Sequence, residues 1–128
     1  MTRDPDAPAV LLAAARTTLH NPAAMPGSTW ARSTALLARQ ALEATLARYW
    51  AARAPGMEHS SATAQLLCLP FYTDDPATAR LAHQTWASLS RACHHHPYEL
   101  APTTAELQGW LHAVGDVIAE LAPDAARG

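Results

Sequence analysis

The chain contains no lysine: its nine cations are all arginines, set against eleven carboxylates for a net charge of −2 over 128 residues. That balance excludes the broad basic surface with which a protein grips duplex nucleic acid by electrostatics alone, so any nucleic-acid contact must be local. The bias toward arginine and alanine fits a GC-rich coding sequence, and it leaves every cation with a planar fork suited to phosphate. There are two cysteines, Cys68 and Cys93, too few and too far apart for a disulfide framework or a paired zinc knuckle. Buried thiols in a reducing compartment are expected. No apolar run is long enough to span a bilayer, and the start, Met1-Thr2-Arg3-Asp4-Pro5-Asp6, places acid and proline where a signal peptide needs a basic segment. A cytoplasmic protein without a membrane partner is expected. No alternating β pattern of useful length, no internal repeat and no low-complexity tract occurs.

What is present is helical. With apolar residues at 49% and charged residues at 16%, the composition suits one hydrophobic core of ordinary domain size. Residues 1–7 read as a disordered tail, 8–122 as a single domain and 123–128 as a second tail. Pro8 suits a first helical turn, and Val10, Leu11, Ala14, Ala15 and Thr18 recur at helical spacing to about His20. Asn21-Pro22 and Pro26-Gly27 punctuate a loop, with Ser28 placed to cap the next helix. That helix, about 29–54, keeps Ala35, Leu42, Leu46 and Tyr49 on one face and ends at Pro55-Gly56. Ser60 or Ser61 can cap a short third helix carrying Leu66, Leu67, Cys68 and Leu69, which Pro70 should end. Asp75-Pro76 opens a fourth with the stripe Ala82, Trp86, Leu89 and Cys93. Because the residue before a proline is pushed out of the α region, Pro97 should stop it near His95 or His96. Thr103-Thr104-Ala105-Glu106 matches a capping box, and Leu107, Leu111, Val114, Ile118 and Leu121 follow on one face. The expectation is all-α: a four-helix up-and-down bundle with an additional short helix, and Trp30, Trp50, Trp86 and Trp110 as core anchors.

The chemically dense passage is Arg91-Ala92-Cys93-His94-His95-His96-Pro97-Tyr98-Glu99-Leu100. Three readings compete for it. A metal site is disfavoured, because consecutive residues on a helix point about 100° apart and His94, His95 and His96 cannot converge on one ion unless the backbone unwinds there. Only a partial site, Cys93 with His96 or with His112, would remain, so no metal and no cofactor are expected. A structural reading places the imidazoles at a helix C-terminus, where positive charge favours the macrodipole, with Arg91 capping carbonyls or pairing with Glu99. The third reading is metal-free phosphodiester cleavage, in which an imidazole deprotonates a ribose 2′-hydroxyl and a guanidinium stabilises charge on the phosphorane oxygens. On an ideal helix Arg91 and His95 share a face, whereas His96 can turn to the same pocket only if the helix ends. Periodicity leaves both as possible bases.

The pattern Arg91-x4-His96, late on a helix in a small all-α chain and followed by another amphipathic helix, resembles the Arg-x4–6-His signature of the HEPN superfamily. The run from Arg91 to Thr103 is similar to a branch of that superfamily from high-GC bacteria, and the helix order agrees over roughly residues 8–122. The resemblance implies a HEPN-like bundle and a two-fold homodimer that brings the Arg and His of both subunits into one cleft. It implies a metal-independent endoribonuclease, often part of a toxin–antitoxin pair, with RNA as substrate and an antitoxin or other protein as partner. Arg91 and His96 would match the motif, with His95 in support; Tyr98, His94 and Glu99 would contact substrate. Many active relatives carry a polar residue after the motif arginine, where this chain has Ala92. The alternative implication is a non-catalytic HEPN-like module that binds a protein or nucleotide, including accessory work beside a nucleotidyltransferase or a DNA-repair system.

Overall fold

The computed structural model describes residues 7–24, 28–94 and 100–122, and those residues form an all-α bundle. Five α-helices follow in order: α1 Ala7–Leu19, α2 Ser28–Arg53, α3 Ala62–Cys68, α4 Pro76–Cys93 and α5 Thr104–Leu121, with three short 3-10 turns between them. The tails expected at 1–7 and 123–128 lie outside the described residues except for Ala7, which opens α1. The cap expected of the Ser28 side chain also lies outside them.

Local chemistry sets most of the helix limits. Ser61 caps α3, its hydroxyl accepting from the Ala64 amide at 3.1 Å. Asp75 caps α4 through the Ala77 amide at 2.9 Å and also accepts from the Thr78 hydroxyl at 3.1 Å. The capping box at α5 is complete: the Glu106 amide donates to Thr103 Oγ1 and the Thr103 amide to Glu106 Oε1, both at 3.0 Å. After α2 the chain turns through Gly56, at φ 104°, a left-handed conformation that favours glycine. α3 ends at Cys68, just ahead of Pro70 as expected, and the fixed φ of Pro70 fits the start of a further 3-10 turn, Leu69–Phe71.

The four long helices form a ring in the order α1, α2, α4, α5, each packed against the next, and α2 also reaches α5 across the centre. Every neighbouring pair is antiparallel. Trp30 early in α2 meets the end of α1, donating to the carbonyls of Thr18 at 2.8 Å and Leu19 at 3.2 Å. Late in α2, Arg53 donates to the Tyr72 carbonyl at 2.9 Å, just before α4 begins. The last turn of α4 lies beside the first turns of α5, and the first turn of α4 beside Asp116, Val117 and Glu120. Arg16 and Leu19 late in α1 face Gln108, Leu111 and His112 early in α5. The up-and-down arrangement therefore follows from contacts at both ends.

The core is rich in alanine where helices approach closely, with Ala35, Ala38 and Ala41 of α2 wholly enclosed beside Leu42, Leu46 and Trp50. The expected inner stripes of α2 and α5 are buried, with Val117 joining α5's and Ile118 only half-buried. In α1 the inward face is Pro8, Leu12, Ala15 and Leu19, and Val10 is exposed. Of the four tryptophans only Trp50 is enclosed; Trp30, Trp86 and Trp110 are half-buried and lie at the edges of the core. Both cysteines are likewise half-buried rather than enclosed. Among the described residues no helix is long and apolar enough to cross a membrane.

Candidate functional site

The antiparallel ring gathers one set of termini at one end: the C-termini of α1 and α4 and the N-termini of α2 and α5. Among the described residues, this end carries Arg16, His20, Arg32, Arg91 and His94, with His112 two turns down α5. The carboxylate among the described residues there is Glu106, whose Oε1 is already held by the Thr103 amide. Asp74, Asp75 and Glu120 lie at the opposite end. A chain with a net negative charge thus presents a locally cationic pole.

Arg91 occupies the last turn of α4 and is exposed. It borders a cleft of about 160 Å³ between α4 and α5, lined also by Ser88, Ala92, Leu100, Pro102, Glu106 and Trp110. No carboxylate among the described residues lies within ion-pairing distance of its guanidinium. Ala92, directly after it, is buried at 7% exposure and forms part of the cleft floor. Leu100 stands at the rim, 97% exposed.

The helix ends earlier than Pro97 alone requires. Its last residue is Cys93; His94 is the C-cap at φ −105° and ψ 32°, with its amide shared between the Ser90 and Arg91 carbonyls at 3.2 Å each. The capping of those carbonyls belongs to a backbone N–H and not to the Arg91 side chain. α4 stops two residues before His95, so the stacking of Arg91 on His95 expected of an ideal helix falls outside the described residues. Of the predicted site residues, Arg91 and His94 are placed at this pole, both exposed, whereas His95, His96, Tyr98 and Glu99 lie outside the described residues.

Among the described residues no three His, Cys, Asp or Glu side chains come together as a metal site. The Cys93–His112 pairing fails on topology. His112 faces the groove between α1 and α5 and lies 3.7 Å from Asp116, whereas Cys93 sits near residues of α2. Burial pushes the Cys93 thiol up from its ordinary 9.0; Arg39 and Arg32 pull it down and Glu43 adds to the rise.

The seam between α2 and α4 is more polar than an apolar stripe suggests. Trp86 Nε1 donates to Glu43 Oε2 at 2.9 Å, and the same oxygen lies 3.6 Å from Arg39 Nε. Sequence reasoning also missed two components of the cationic pole: Trp110 beside Arg91, and the cluster of Arg16, His20, Gln108 and His112 around a second cleft of about 130 Å³. The i, i+4 spacings Arg16–His20 and Gln108–His112 were the available signal, since each pair stacks on one helix face. Compared with protein-family profiles, curated proteins and solved structures, the chain matches none.

Proposed function

We propose that this protein is a HEPN-type, metal-independent endoribonuclease that acts as a homodimer at the pole bearing Arg91 and His94, with His95 and His96 next in the sequence. The observation that carries this reading is the exposed Arg91 guanidinium, without a carboxylate partner among the described residues, beside a cleft that also exposes part of the Trp110 ring. A guanidinium in that setting suits a phosphate, and an indole face suits a stacked base.

In the proposed reaction, His96 takes the proton of a ribose 2′-hydroxyl and the oxygen attacks the adjacent phosphorus. The bond from phosphorus to the 5′-oxygen of the next nucleotide breaks. That oxygen leaves with a proton from a second imidazole, His95 or the partner copy's equivalent, and a 2′,3′-cyclic phosphate remains. Arg91 offsets charge on the non-bridging oxygens, while His94, Tyr98 and Glu99 hold the flanking nucleotides. One Arg91 and one His96 make a thin site; a two-fold axis beside them doubles both. An antitoxin or other partner protein covering the same pole would silence it.

The test is cleavage of end-labelled RNA in EDTA by the wild type, Arg91→Ala and His96→Ala. Loss of either group should lower the rate about 10²- to 10³-fold, the usual scale for one transition-state contact. Equal rates for all three proteins would eliminate the proposal. A second reading, a non-catalytic module that binds a protein or nucleotide, is favoured by one observation: four of the seven residues lining the cleft, Ala92, Leu100, Pro102 and Trp110, are apolar. It predicts that Arg91→Ala leaves RNA unaffected and weakens capture of the partner.

A further inference from the structure

We infer that single-stranded RNA crosses the outer face of α5, running from the Arg91 cleft to a second phosphate site in the groove between α1 and α5. This rests on the reading of the cationic pole as RNA-binding and adds to it a site outside the catalytic motif.

The second groove is built by two helices. Arg16 and His20 come from the last turns of α1, Gln108 and His112 from α5, and together with Leu19 and Leu111 they line about 130 Å³. All four polar side chains are exposed, and Arg16 has no carboxylate partner among the described residues. His112 stands 3.7 Å from Asp116, and Arg16 supplies the groove's fixed positive charge. Its guanidinium lies against α5 at Gly115, where a Cβ built on the glycine would come 3.3 Å from Arg16 Nη2. A guanidinium, two imidazoles and a carboxamide supply N–H donors for phosphate oxygens.

Both grooves flank the same stretch of α5. Glu106 and Trp110 border the Arg91 cleft, while Gln108 and His112, two residues on in each case, border the second groove. Two residues amount to about 200° of rotation and about 3 Å of rise, so the grooves lie on opposite sides of the helix at nearly one level. Between them the outer ridge is Ala105 and Gly109. Each stands two residues from an inward leucine, Leu107 or Leu111, and both are exposed. A Cβ added at Gly109 would meet nothing within 4 Å. The ridge is therefore low and uncharged where a strand would pass. Beyond it the outer face turns acidic at Asp116 and Glu120, which with Asp75 border a groove farther down between α4 and α5 and repel a phosphate chain. Only the N-terminal half of α5 offers a crossing.

The experiment is fluorescence anisotropy with 2′-O-methyl RNA, which lacks the attacking hydroxyl, in strands of roughly ten and roughly three nucleotides. The wild type, Arg16→Gln, Gly109→Glu and Arg91→Gln are compared across a salt series. The wild type should prefer the longer strand. Arg16→Gln should shrink that preference and lower the salt slope by about 0.7, the contribution of one single-strand phosphate contact. Gly109→Glu should shrink it by putting a carboxylate on the ridge. Wild-type behaviour by both Arg16→Gln and Gly109→Glu, with binding lost only in Arg91→Gln, would overturn the second site and leave the nuclease reading standing. Absence of binding by the wild type would overturn the crossing as well, and absence of cleavage in the EDTA assay removes the nuclease reading separately.

Discussion

Thr103→Ala isolates the device that fixes the start of α5 and hence the Glu106–Trp110 wall of the Arg91 cleft. Thr103 is exposed, so its truncation removes little packing. What it removes is the acceptor for the Glu106 amide at 3.0 Å, and it loosens the reciprocal bond from the Thr103 amide to Glu106 Oε1, also 3.0 Å. Loss of a Ser, Thr, Asn or Asp cap typically costs about 1 kcal/mol, within a range of roughly 0.5–2. For a domain of this length that corresponds to a drop in Tm of about 3–5 °C. Urea unfolding followed by circular dichroism should show a lower midpoint with an unchanged m-value, because no core surface is altered. Glu106→Gln keeps an acceptor oxygen and should cost less. In the double-mutant cycle with Glu106→Ala, the second substitution should cost less after the first, since the two bonds form one unit. An unchanged midpoint in Thr103→Ala, or full additivity in the cycle, would refute the claim that the box holds this end of the bundle.

Two further outcomes follow from buried polar groups. Among the described residues Tyr49 Oη is enclosed without a hydrogen-bond partner, and burial, opposed by Arg53 and helped by Asp74, pushes its ionisation up from 10.0. The unfolded chain then releases this proton at lower pH than the folded one, so the contribution of Tyr49 to stability is intact below pH 10.0 and falls above it. Cys93 starts the same loss at 9.0. Tyr49→Phe should be neutral or stabilising by up to about 1 kcal/mol near pH 7 and should flatten the upper part of the alkaline loss measured by urea midpoints. Trp30→Phe removes the donor to the Thr18 and Leu19 carbonyls and should cost about 1–2 kcal/mol, with faster amide hydrogen exchange in the last turn of α1.

The helices were legible in the sequence wherever a short-range device set their limits. Ser61, Asp75-Pro76 and the Thr103–Glu106 box act on amides two or three residues away, so their effect can be read without tertiary structure. Phase and depth were harder. In Val10-Leu11-Leu12-Ala13-Ala14-Ala15 nearly every position is apolar, so periodicity does not select a face; packing against α2 and α5 chose Leu12 and Ala15. Tryptophan at helical spacing says that a face is inward but not how far from its centre, and Trp30, Trp86 and Trp110 lie at its margins with the indole N–H groups of the first two reaching polar partners. Pro97 restricts the residue before it, which set a limit on α4 and not its last residue. At the candidate site Arg91 was visible because it lies within a dense run of titratable residues. Trp110, Arg16 and His112 belong to other helices, and the ring order alone brings them to the same pole.

The composite site is tested most directly by mixing two inactive proteins. Arg91→Ala and His96→Ala, each purified alone, are combined under conditions that let subunits exchange, and RNA cleavage in EDTA is followed. A cleft shared across a two-fold axis keeps one arginine and one histidine in every mixed dimer, so activity should rise well above the sum of the two parents. Cleavage no greater than that sum, with exchange verified by a size or affinity tag, would contradict a site assembled from both copies.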